Sequence, residues 1–148
     1  MPLATRAANR YLRAMKPADY ARSALWALAI LVVNVLISVV VMVVYSYAVE
    51  PGHDAAFYEA AAPRIAPWSS VVFGIPLFFG VARYGARRSP ARNASAFALA
   101  IFGFYASIDI TVLQFAGSTL AEAGIVALSM GTKLAAALAG ARISTTAR

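Results

Sequence analysis

The stretch SALWALAILVVNVLISVVVMVVYSYAV, Ser23 to Val49, runs for 27 residues without a charge. A helix needs about 20 such residues to cross the hydrocarbon core of a bilayer. The core of a secretory leader is shorter and ends at small residues, whereas this run stops at Glu50-Pro51-Gly52. It reads as a retained membrane span.

The rest of the chain repeats the pattern. Further apolar stretches cover about 67–84, 94–115 and 120–141. The second is the shortest and carries Gly74 and Pro76 near its middle, where a bend is expected. Composition agrees: 61% of the 148 residues are hydrophobic, 13% are charged, and the mean hydropathy is +0.71. Soluble domains are about half apolar and about a quarter charged. The fold class is therefore an all-α membrane protein, a four-transmembrane-helix bundle. Residues 1–22 form a basic N-terminal segment, 23–141 the membrane domain and 142–148 a tail.

Basic residues orient the bundle. Arg6, Arg10, Arg13, Lys16 and Arg22 precede the first span; Arg83, Arg87, Arg88 and Arg92 lie between the second and third. Arg142 and Arg148 follow the fourth, while the other two connections hold only Arg64 together with Glu50, Asp54, Glu59 and Glu122. Positive charge collects on the cytoplasmic side of membrane proteins, which places both termini and the central loop there. The formal charge of +7 thus follows from topology, and nucleic acid is set aside as a partner. The expected location is a bacterial plasma membrane. The N-terminal segment reads either as an amphipathic helix on the inner leaflet, broken at Pro17, or as a solvated basic tail.

Two ionisable residues fall inside spans. Asp109 lies in FYASIDITVLQFA on the third, and Lys133 in LSMGTKLAAAL on the fourth. Each costs roughly 2.5–3.5 kcal/mol to insert at mid-membrane, so a partner or a wet cavity is expected. The third and fourth spans run in opposite directions, and at about 1.5 Å per residue the two side chains sit roughly 10 Å apart in depth. Side chains lean toward the helix N-terminus, so these two converge, and a direct Asp109–Lys133 pair is expected. Asn34 and Ser38 on the first span and Tyr105 on the third lie at similar depth, which makes a polar layer. It is either a neutralised register pin or a site that binds or titrates. On the third span the bulky stripe of Phe97, Ile101, Phe104, Ile108 and Phe115 is expected to face lipid. The small and polar stripe of Gly103, Ser107, Thr111 and Gln114 is expected to face protein.

The fourth span also carries Ala123, Ala127, Gly131 and Ala135 at four-residue spacing, a row that lets helices pack closely in lipid. It points to a homo-oligomer or a larger membrane complex, with intrachain packing as the alternative.

The first connection holds the single histidine, His53, beside Asp54 and near Glu59. Asp54 is expected to cap a short helix that ends before Pro63. His53 and Glu59 are six apart and point to different sides, which is poor spacing for zinc, so no metal is expected. No cysteine is present, which removes disulfides, thiolate sites and cysteine catalysis. No nucleotide, zinc-protease or serine-hydrolase motif occurs, and neither cofactor nor catalytic residue is assigned. Three functions remain: a self-associating or accessory membrane subunit, an oligomeric proton-coupled or small-solute transporter using the polar layer, and a lipid-processing enzyme with a His53/Asp54 site.

Overall fold

The computed structural model describes residues 15–88, 93–115 and 123–146, and these form four helices with no strand among them. They are α1 (Pro17–Val44), α2 (Ala55–Arg88), α3 (Ala94–Phe115) and α4 (Ala123–Thr146). All four are long and apolar enough to cross a bilayer. The amphipathic helix expected over Arg6–Arg13 lies outside the described residues.

Helix α1 begins six residues earlier than hydropathy suggested. Pro17 starts the helix, because the first turn needs no N–H from that position. Asp19 Oδ2 accepts a hydrogen bond from the Lys16 N–H at 3.2 Å and closes the turn. At its other end α1 widens into a π-type turn over Tyr45–Val49. The chain then reverses through Gly52, whose φ of +88° suits a residue without Cβ.

Helix α2 departs most from expectation. The short helix ending before Pro63 and the separate span from 67 are one helix of 34 residues, which runs through Pro63, Pro67 and Pro76. Asp54 does cap it, its Oδ1 accepting from the Phe57 N–H at 3.0 Å. Proline removes one ladder bond, but apolar surroundings offer the remaining peptide groups no other partner, so the helix persists.

The helices form a ring in which α1 touches α2 and α3, while α4 touches α2 and α3. The α2–α4 pair is the most extensive. It is close because Gly140 rests on the Phe79 backbone: a Cβ there would meet the Phe79 carbonyl oxygen, with Phe79 C and Cα at 3.1 and 3.2 Å.

The two halves of the bundle differ. Toward the basic end, Ile30, Phe78, Phe97, Ile101 and Ala137 are each at most 2% exposed and fill the interior. Phe97 and Ile101 therefore belong to the core, while Phe104 and Phe115 do face outward. The stripe expected to face protein, Gly103, Ser107, Thr111 and Gln114, is exposed instead. Ser107 and Thr111 donate to the carbonyls of Gly103 and Ser107, at 2.9 and 2.7 Å. Their hydroxyls need no neighbour, so the surface can be apolar in effect.

Candidate functional site

One polar side chain from each helix meets at the middle of the bundle. Lys133 on α4 donates from Nζ to Ser70 Oγ on α2 at 2.7 Å and to the Tyr105 hydroxyl on α3 at 2.9 Å. Asn34 on α1 donates from Nδ2 to the same two oxygens, at 2.8 and 3.2 Å. Two donors and two acceptors thus close a four-membered ring that ties all four helices together. Lys133 and Tyr105 are 0% exposed and Asn34 is 6% exposed.

Local sequence explains how this ring is reached. On α1, Ser23, Ala27, Ile30 and Asn34 are buried at offsets of three and four, one stripe of a helix. On α4, Ser129, Lys133, Ala136 and Gly140 share the buried side, as their spacing predicts. The stem of Lys133 crosses to α2 over Gly74, where an added Cβ would lie 2.6 Å from Lys133 Cε. Gly74 therefore gives room to a lysine. Helix α2 continues through it.

The direct ion pair expected between Asp109 and Lys133 is not formed. The ammonium is held by two hydroxyls, and the carboxyl makes neither a hydrogen bond nor an ion pair with it. Tyr105 stands between them. Its oxygen accepts twice, so its own proton is left over, and Asp109, one turn further along α3, is the acceptor in reach of it. The base is bonded to the phenol, and the acid lies one turn beyond it.

Above the ring, away from the basic end, the bundle opens. A cavity of about 820 Å³ is lined by all four helices, among them Val39, Pro67, Asp109, Val126 and Ser129. Its walls are mainly apolar. Asn34 and Ser70 from the ring form part of its lining, and Lys133 does not. Ser38 lines it too and meets Ser69 at 2.7 Å. Because the Ser69 hydroxyl already donates to the Ala66 carbonyl at 2.8 Å, Ser38 is the donor in that contact.

Tyr58 of α2 also lines the cavity and fastens the α1–α2 connection. Its hydroxyl donates to the Glu50 carbonyl at 2.6 Å and accepts from the His53 N–H at 3.3 Å. His53 stacks on Phe57 with centroids 4.0 Å apart and meets Glu50 Oε2 at 3.4 Å. Asp54 is engaged in capping, and neither a hydrogen bond nor an ion pair joins Glu59 to His53 or Asp54. The three loop candidates do not converge, and no three His, Asp or Glu side chains among the described residues group to hold a metal.

Of the expected polar layer, Asn34, Tyr105 and Lys133 meet in the ring, while Ser38 and Asp109 line the cavity above it, and the ring has one member that sequence reasoning missed. Ser70 is bonded to two of them. With the span expected to start near Pro67, Ser70 belonged at the membrane edge; in a helix that starts at Ala55 it is central. The row of Ala123, Ala127, Gly131 and Ala135 lies on the exposed side of α4, and a Cβ at Gly131 would meet nothing within 4 Å. No family model, no curated protein and no solved structure matches this chain.

Proposed function

We propose that this chain is a polytopic membrane protein that admits a small solute, from the outer side of the membrane, into a half-membrane cavity floored by the polar ring. The observation that carries the reading is the cavity itself, about 820 Å³, within the 300–1,000 Å³ range of small-molecule sites. Its floor holds a fully buried lysine and its wall an uncommitted carboxyl, and intramembrane ionisable groups mark solute and proton paths. Basic-residue asymmetry supports cytoplasmic termini, which turns the open half outward, and a bacterial plasma membrane suits the layout. The packed half closes the other side, so passage through the bundle requires the helices to move or a second copy to contribute.

The absence of cysteine makes a clean test available. Val39→Cys and Val126→Cys place single thiols on the cavity wall, and Ala98→Cys places one in the packed half. A membrane-impermeant thiol reagent added outside intact cells is expected to label the first two and spare the third. Labelling of neither wall position from outside sinks the reading.

A second reading is favoured by the outward small-residue row on α4: a self-associating or accessory subunit of a larger complex. Close helix approach in lipid uses such rows, and this one is exposed among the described residues. Gly131→Leu is expected to leave the monomer's stability unchanged and to dissolve a native oligomer on mass spectrometry. An unchanged oligomer removes this reading.

A further inference from the structure

Resting on the reading that the cavity admits a solute, we infer that the solute is a protonated amine with an apolar body, its N–H groups addressed to Asp109. Asn34 lines the cavity but commits both Nδ2 protons to the ring, and its Oδ1 is buried out of a solute's reach. Asp109, also on the lining, accepts at most from Tyr105 and has lone pairs to spare. The fixed polar group that the cavity offers a solute is therefore an acceptor.

The remaining polar groups do not reverse that sign. Serine hydroxyls such as Ser129 rotate to donate or accept as a ligand requires. The one fixed cation, Lys133, is fully buried, engaged by Ser70 and Tyr105, and absent from the lining. Its charge opposes a bound cation at short range, but it offers an anion no open donor. The walls are contributed by residues such as Leu31, Val35, Val112 and Ile125, which suit a hydrocarbon or aromatic body and not a small inorganic ion. An ammonium group that carries N–H bonds gives the carboxyl both charge and a hydrogen bond. A quaternary ammonium brings charge without a donor.

The test measures saturable binding to the full chain in lipid nanodiscs, against empty discs, for four probes with one body. These are phenethylammonium, phenethyltrimethylammonium, phenethyl alcohol and 3-phenylpropionate. Phenethylammonium is expected to bind at least tenfold tighter than the other three, since each hydrogen bond to a charged group contributes about that factor. Asp109→Asn is expected to weaken it at least tenfold, and Lys133→Met to tighten it. Preference for 3-phenylpropionate, with Lys133→Met abolishing binding, overturns the amine assignment while the cavity reading stands. Equal binding of the ammonium and its trimethyl analogue overturns the N–H donor. Binding of none of the four above empty discs overturns both. The probe series on the unaltered chain decides the class even where a variant fails to fold.

Discussion

The hydrogen bond between Lys133 and Tyr105 admits a thermodynamic cycle. Tyr105→Phe removes one oxygen and keeps the ring, so the edge contact with Phe78 at 5.0 Å survives. Lys133 then retains Ser70 alone as an acceptor, and Asn34 likewise loses one of its two. Lys133→Met removes the charge at nearly constant length and leaves both Asn34 bonds in place. The bond measures 2.9 Å, both residues are 0% exposed, and its donor is charged. Bonds to charged groups contribute about 1.5–3 kcal/mol in proteins at large. Polar couplings between membrane helices average only about 0.6 and reach about 1.7, because the unfolded helices in lipid also find partners. A charged donor with no water beside it belongs at the upper end, so a coupling of about 1–2 kcal/mol is expected. The signs of the single changes differ as well. Lys133→Met forfeits two bonds but also removes a buried charge that those bonds serve to offset, and falls near zero. Tyr105→Phe strands a buried donor and is the more destabilising of the two. The assay is reversible unfolding in bicelles for the wild type, both single variants and the double variant. A coupling below about 0.3 kcal/mol, the ordinary error of additivity, refutes the ring as an energetic unit.

Three further outcomes follow from the packing. Gly140→Ala forces α2 and α4 apart against backbone atoms that cannot turn aside, and should cost about 1–3 kcal/mol in the same unfolding assay. Gly131→Ala, with open space beside it, should stay within about 0.5 kcal/mol. Gly74→Ala should destabilise the wild type by pushing Lys133 off Ser70, and should be harmless in a Lys133→Ala background; equal cost in both assigns Gly74 a different role. Tyr58→Phe frees the α1–α2 connection, and hydrogen exchange at the His53 amide should speed up by about fivefold, the equivalent of about 1 kcal/mol of local stability.

Much of this was legible in the sequence, and the failures have physical causes. Helix α3 matches its expected limits because Asn93 caps it, its Oδ1 accepting from the Ala96 N–H at 3.1 Å, and its apolar run ends where the helix does. Asn34, Tyr105 and Lys133 were readable because polar groups at one depth on several helices must meet or remain unsatisfied. The start of α2 was not readable. Three prolines signal a break in water, yet in an apolar setting the ladder continues past each of them. That error hid Ser70. The facing of α3 was misread because lipid and core are equally apolar, so bulk alone does not tell inside from outside. Ser107 and Thr111, bonded to their own helix, could face out. The pairing of Asp109 with Lys133 failed on one rotamer-scale detail: the lysine stem crosses at Gly74 and delivers its ammonium to Ser70 and Tyr105.

The division of the bundle into a packed half and an open half also shapes the electrical profile of the molecule. With the open half turned outward as proposed, a cavity that fills with water carries the outside potential down to its floor. The membrane voltage then drops across the packed half alone, between the ring and the basic end. Each elementary charge that traverses that drop exchanges about 2.3 kcal/mol per 100 mV. A cation arriving at Asp109 has done almost none of this work, and one that continues inward does nearly all of it. Lys133, fixed at the boundary, stands at the head of the drop, so an inside-negative voltage that draws a cation from the cavity pulls on the ring as well.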